Sequence, residues 1–169
     1  MDKINPKFEA SECGTISFGP TSRFMCNLVK YRDEHNRLKY YCDLRIYSYS
    51  ADSNRFMPSR KGITLSSKLV LAIHNWLVNL GDPPPNPVED GNVEQCRFEK
   101  YRNTQVVCSF VKGKDGPSID IREFNSQEGS NHYGYQSKGC RFSFHSKDDV
   151  DNMLMTCYNA MIDLDNARE

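Results

Sequence analysis

The chain has 169 residues, with 22 basic and 22 acidic side chains, enough for one ordinary domain or two small ones. No apolar run approaches the roughly 20 residues needed to cross a bilayer as a helix, so no membrane partner is expected. Seven cysteines, an odd number with no C-x-x-C pair and no Cys/His zinc-ligand spacing, point away from a disulfide framework or a metal finger. They point to reduced thiols that pack as small hydrophobes in a nuclear or cytoplasmic setting, with no cofactor.

Residues 1–13 lack a charged-then-apolar signal pattern and read as a flexible leader. "TISF" (15–18) suits a first strand, and "FMCNLVKY" (24–31) alternates as a second. A charged connection, "RDEHNR", precedes "LKYYCDLRIYSYS" (38–50). There Cys42, Leu44 and Ile46 share one face, and Asp43, Arg45, Tyr47 and Tyr49 the other. After a Ser/Asp/Asn-rich loop comes the strand "RKGITL". Ser66 or Ser67 then caps a helix with Leu69, Ile73, Trp76, Leu77 and Leu80 at three- and four-residue spacings. Gly81 stands where a helix C-terminal cap is expected.

"GDPPPNPVEDGN" (81–92) can be neither helix nor central strand, because consecutive prolines remove backbone donors. Beyond this linker the same order returns. "VEQCRF" (93–98), "TQVVCSFV" (104–111), "SIDIREF" (118–124) and "KGCRFSF" (138–144) read as strands, with "KGKDGP" as a hairpin turn. A helix follows from about Ser146, with Val150, Met153, Leu154, Cys157, Met161 and Leu164 on one stripe and Asp148 and Asp149 in its first turn.

The repetition is literal in places. Asp43-Leu44-Arg45 matches Asp120-Ile121-Arg122 at an offset of 77, Lys61-Gly62 matches Lys138-Gly139, and Ser66 matches Ser143. The expected fold is α+β: two tandem β-β-β-β-α repeats, residues 14–80 and 93–169, each a curved antiparallel sheet with a C-terminal helix. One such unit leaves an apolar surface bare, so the two should pack together as an intramolecular pseudo-dimer. Charge follows the repeats. Residues 21–75 hold ten basic and four acidic side chains and residues 97–147 hold nine and five, while acids dominate 76–96 and 148–169. Such segregation hints at a polyanion-binding face.

"CDLRIY…SRKGITLS" and "IDIREF…KGCRFSF" resemble the core of the transcriptional positive cofactor four family, single-stranded-DNA-binding coactivators, over about forty-five residues of each half. The plant Whirly proteins and the purine-rich-element-binding repeats are similar in broad architecture. The resemblance implies helix-mediated pairing, here fused into one chain, and further pairing of that unit into a homodimer is left open. It also implies single-stranded DNA or RNA as partner, in the company of transcription or replication machinery. It places Arg45 and Arg122 at the family's strand arginine, Lys61 and Lys138 at the lysine of its "RKG", and Arg60 before that lysine in the first half, where the second has Ser137. The family's stacking tryptophan is missing: its aromatic pair becomes Tyr47-Ser48 and Phe124-Asn125, with Tyr49 and Tyr135 nearby.

A binder of unpaired strands wants cations for phosphates and flat rings for bases. Tyr47, Tyr49, Phe124 and Tyr135 supply rings. Lys30, Arg32, Arg37 and Lys39 in one half and Lys112 and Lys114 in the other add cations beside Arg45, Arg60, Lys61, Arg122 and Lys138. The plain structural alternatives are a solvated sheet face, with Asp43 and Asp120 paired to neighbouring cations and Gly62 and Gly139 serving curvature or a bulge. No metal-ligand histidine or third acid joins the two aspartates, so no catalytic residues and no enzyme are expected. The competing function is a protein-interaction adaptor on the same fold.

Overall fold

The computed structural model describes residues 8–81, 93–113 and 116–167. Strands β1 (Glu9–Ser17), β2 (Ser22–Arg32), β3 (Leu38–Ser50) and β4 (Arg55–Leu65) form one antiparallel sheet in sequence order, followed by helix α1 (Ser67–Val78). Strands β5 (Val93–Tyr101), β6 (Thr104–Gly113), β7 (Gly116–Asn125) and β8 (Gly134–Ser143) form a second, followed by a single 3₁₀ turn (Phe144–Ser146) and helix α2 (Lys147–Asn166). The protein is thus α+β, with two four-stranded sheets in tandem. Among the described residues no helix is long and apolar enough to cross a membrane.

Alternation placed these strands well, and the departures have local causes. β1 begins at Glu9, so residues 9–13 of the expected leader pair with β2, around a bulge between Glu12 and Gly14. β4 begins at Arg55, because the hairpin closes tightly with Asn54 in the left-handed region at φ 52°. Ser66 caps α1, its Oγ accepting the Leu69 N–H at 3.3 Å. The far end of α1 is capped at Asn79, whose N–H donates to the Asn75 carbonyl, so Gly81 lies two residues past the cap. The proline run falls outside the described residues.

One core joins everything. Phe24, Leu44 and Ile63 of the first sheet, Val106, Ile119 and Ile121 of the second, and Ile73, Leu77, Val150 and Leu154 of the helices are all sealed from solvent in a single cluster. Alternation dictates these choices, since every second residue of β2, β3, β6 and β7 points to the same side. α2 does not lie chiefly on its own sheet; it crosses β1, β2 and β3. There the Met153 carbonyl sits 3.6 Å from Cys26 Sγ, and a Cβ at Gly14 would fall 2.2 Å from Met153 Cγ. Reciprocally, Trp76 of α1 meets Phe110 of β6 at 6.5 Å between ring centroids, and Phe24 meets Phe142 across the halves at 5.6 Å. Such contacts bury the inner faces of both sheets in one core with the helices.

Polar links cross the same divide. α1 packs on α2, and His74 Nδ1 lies 2.7 Å from Asp151 Oδ1, two residues 77 apart in sequence. Lys100 Nζ donates to Glu123 Oε2 at 2.8 Å and to Thr64 Oγ1 of the first sheet at 3.2 Å. Its pair with Glu123 is buried, with side chains 11% and 5% exposed. Removing one partner of a buried pair strands the other charge, whereas removing both need not. Lys100→Met should therefore lower unfolding free energy by about 3 kcal/mol in urea denaturation, and the double change Lys100→Met with Glu123→Leu should recover most of that loss.

Candidate functional site

The repeated phrases build the outer faces of the two sheets, the side away from the core. In the first sheet β3 turns Asp43 and Arg45 outward, two residues apart on one face, and the carboxylate receives Arg45 Nε at 3.1 Å and Nη2 at 3.0 Å. Arg45 Nη1 donates to the Ser59 carbonyl at 2.8 Å. Its register partner on β4 is Gly62, and a Cβ there would come within 2.6 Å of Arg45 Cζ. The guanidinium therefore lies flat across the glycine. A bulge follows at once, between Arg45 and Tyr47. The Asp43 hydrogen bond holds the Arg45 guanidinium above its ordinary pKa range.

The second sheet repeats the device. Arg122 Nε and Nη2 each donate to the Asp120 carboxylate at 3.1 Å, and Nη1 donates to the Gln136 and Ser137 carbonyls. Gly139 lies opposite Arg122, and a Cβ there would meet the Ile121 carbonyl oxygen at 2.8 Å. A bulge again separates Arg122 from Phe124. Asp120 also accepts from Arg141 of β8 at 3.3 Å, so the expected cross-strand partner is present here, beside the same-strand arginine. The two strand arginines, 21% and 22% exposed, are anchored to backbone and carboxylate. Their first role is to clamp adjacent strands.

Open rings and cations lie beside each clamp. In the first sheet Arg23 Cζ sits 3.8 Å above the Phe56 ring, within cation–π range. Arg23, Met25, Asn27, Tyr47, Arg55 and Phe56 surround an open depression of about 560 Å³. The Tyr47 hydroxyl accepts from Asn27 Nδ2 at 3.0 Å, which orients the ring, and burial raises its pKa. In the second sheet Arg97 Cζ lies 4.2 Å above Phe124. Tyr133 and Tyr135 approach Phe124 edge-on, with centroids at 5.4 and 5.1 Å. Phe124 is only 7% exposed, so it supports Tyr133 and Tyr135, which are 54% and 46% exposed, and offers no platform of its own.

The remaining residues singled out from sequence scatter. Lys30, Arg32, Arg37 and Lys39 lie on the β2–β3 hairpin. Arg37 is paired with Asp33 at 3.2 Å, and Arg32 Nη1 donates to the Asn36 carbonyl at 3.1 Å. Lys30 and Arg32 line a separate cleft of about 960 Å³ with Phe8, Tyr31, Leu38 and Leu164. Asp33 stays below its ordinary pKa because the Arg37 N–H binds its carboxylate. Tyr49 is exposed, hydrogen-bonded to Asn54 and edge-on to Phe56. Arg60, Lys61, Lys112 and Lys138 are exposed on β4, β6 and β8. Lys114 lies outside the described residues.

Arg23, Phe56, Arg97 and Tyr133 were not singled out from sequence. Arg23 precedes the alternating run of β2 and Phe56 lies in a stretch that reads as loop, so only the register brings them together. Cys26, Cys42 and Cys157, far apart in sequence, also converge; they are the one His/Cys/Asp/Glu grouping of metal-binding dimensions among the described residues.

Arg45→Ala should cost about 3 kcal/mol of stability in chemical denaturation, because Asp43 is left buried without an ion-pair partner among the described residues. Arg122→Ala should cost less, since Asp120 keeps Arg141. Gly139→Ala should destabilise by about 2 kcal/mol and more than Gly62→Ala, because its new methyl strikes backbone while that at Gly62 strikes a side chain. Set beside known proteins, the chain matches no protein-family model and no curated sequence.

Proposed function

We propose that the chain is a non-enzymatic single-stranded nucleic-acid-binding protein, a fused pseudo-dimer of two β-β-β-β-α repeats acting on DNA in transcription, replication or repair within the nucleus or cytoplasm. The observation that carries the reading is an arginine seated on an aromatic ring on the outer face of each sheet, Arg23 on Phe56 and Arg97 on Phe124. Around these pairs stand exposed rings, Tyr49 in the first sheet and Tyr133 and Tyr135 in the second. Bases stack on such rings whatever their identity, and the cations meet the phosphates. The pseudo-dimer reading rests on the Asp–Arg–Gly clamp recurring at one offset and on α1 packing against α2. Exposed Arg60, Lys61 and Lys138 extend the cationic rim.

One observation favours an adaptor instead. Arg45 and Arg122, which the family resemblance would assign to the strand, already hold internal carboxylates. Binding would then depend on Arg23, Arg97 and the tyrosines. Fluorescence anisotropy with a labelled single-stranded oligonucleotide at two salt concentrations separates the readings. A binder should weaken with salt, by a log–log slope of about −0.7 for each phosphate neutralised. Tyr133→Ala with Tyr135→Ala should weaken binding at least 5-fold, as expected for losing about 1 kcal/mol or more of stacking. Arg23→Ala should lower the salt slope by about 1. An intact protein that ignores the oligonucleotide in dilute buffer would leave the adaptor.

A further inference from the structure

Four elements each bring one cysteine to the same place beneath the first sheet. The Sγ atoms of Cys26 (β2), Cys42 (β3) and Cys157 (α2) all lie within 4.8 Å of one another, and all three residues are buried. Cys26 and Cys42 sulfurs are 3.6 Å apart. Cys13, half-buried in the β1 bulge beside Gly14, whose register partner is Cys26, packs against the same core. Four thiolates around a zinc ion, with bonds of about 2.3 Å, stand about 3.8 Å from one another. The trio is therefore already near that spacing.

Packing alone does not demand the arrangement. At the equivalent places of the second half, Cys26 corresponds to Cys108, but Cys42 corresponds to Ile119 and Cys157 to Leu80. The second half thus keeps a thiol, Cys108, beside its register partner Cys96, but fills the other two places with larger apolar side chains where the first half brings three buried thiols together.

We propose that Cys26, Cys42 and Cys157, with Cys13 as fourth ligand, form an all-sulfur structural site for a thiophilic d¹⁰ cation, zinc before others. Tetrahedral zinc with four cysteines needs no redox step. Each thiol gives up its proton, so one Zn²⁺ and four thiols yield a tetrathiolate of charge −2 and four protons. The ion would tie α2, from the second half of the chain, to three strands of the first sheet.

Cobalt(II) reports on such a site directly. The full chain, reduced and metal-free, is titrated with Co²⁺ without oxygen. One equivalent should produce near-ultraviolet thiolate-to-cobalt charge transfer with intense tetrahedral visible bands. Zn²⁺ should bleach them and raise the melting temperature. Cys42→Ser and Cys157→Ser should lose the site, whereas Cys108→Ser, at the place in the second half that matches Cys26, should keep the full spectrum. Should the buried variants fail to fold, Cys13→Ser, at a half-buried position, should retain its fold and lose about a quarter of the charge-transfer intensity, one sulfur of four. Cobalt binding without sulfur bands, or a spectrum unchanged by Cys42→Ser and Cys13→Ser, overturns the assignment.

Discussion

An arginine held by a carboxylate two residues back on its own strand, and facing a glycine on the next, marks the register of both sheets. Arg45 lying across Gly62, and the β7 backbone at Arg122 pressed close to Gly139, fix which residues of β3 and β4, and of β7 and β8, stand opposite one another. A slip of one residue would turn every core side chain outward and put a Cβ beneath the arginine. The clamp also explains the spacing of the repeated phrases. An arginine and its facing glycine must be separated by the length of the hairpin between them, and both hairpins have the same length. Each bulge follows its clamp directly and lets the strand bend around a side chain that cannot move.

The clamp occupies the arginines, and on the neighbouring rows the two sheets have diverged. Where the first sheet aligns Ser17, Arg23, Tyr47 and Pro58, the second aligns Glu99, Gln105, Phe124 and Tyr135. The first sheet has a polar, tyrosine-floored depression with a cation in line. The second has a ring cluster whose arginine comes from β5, one row away.

Strand alternation, the proline run and the repeated phrases made the elements, their order and the tandem design legible in the sequence. Hydrophobic periodicity carries such information because burial on one face leaves a period-two trace. Contacts between residues distant in sequence leave no local trace. Phe124 looked like a stacking platform, and the structure buries it beneath tyrosines because its register partner is Tyr135. The convergence of Cys13, Cys26, Cys42 and Cys157 depends on α2 crossing the other half's strands, which no spacing in the chain encodes. Arg45 and Arg122 were visible as important residues, but their partners were settled only by side-chain geometry.

The bridge between α1 and α2 has a consequence for how such a molecule can be assembled. His74 and Asp151 occupy corresponding places, the site where a symmetric pair would set each residue against its own twin. Two first halves would confront imidazole with imidazole, and two second halves would confront carboxylate with carboxylate. The unlike pair joins an imidazole N–H to an accepting carboxylate, a bond that two ionised carboxylates cannot form, so the helix seam suits one copy of each half better than two second halves.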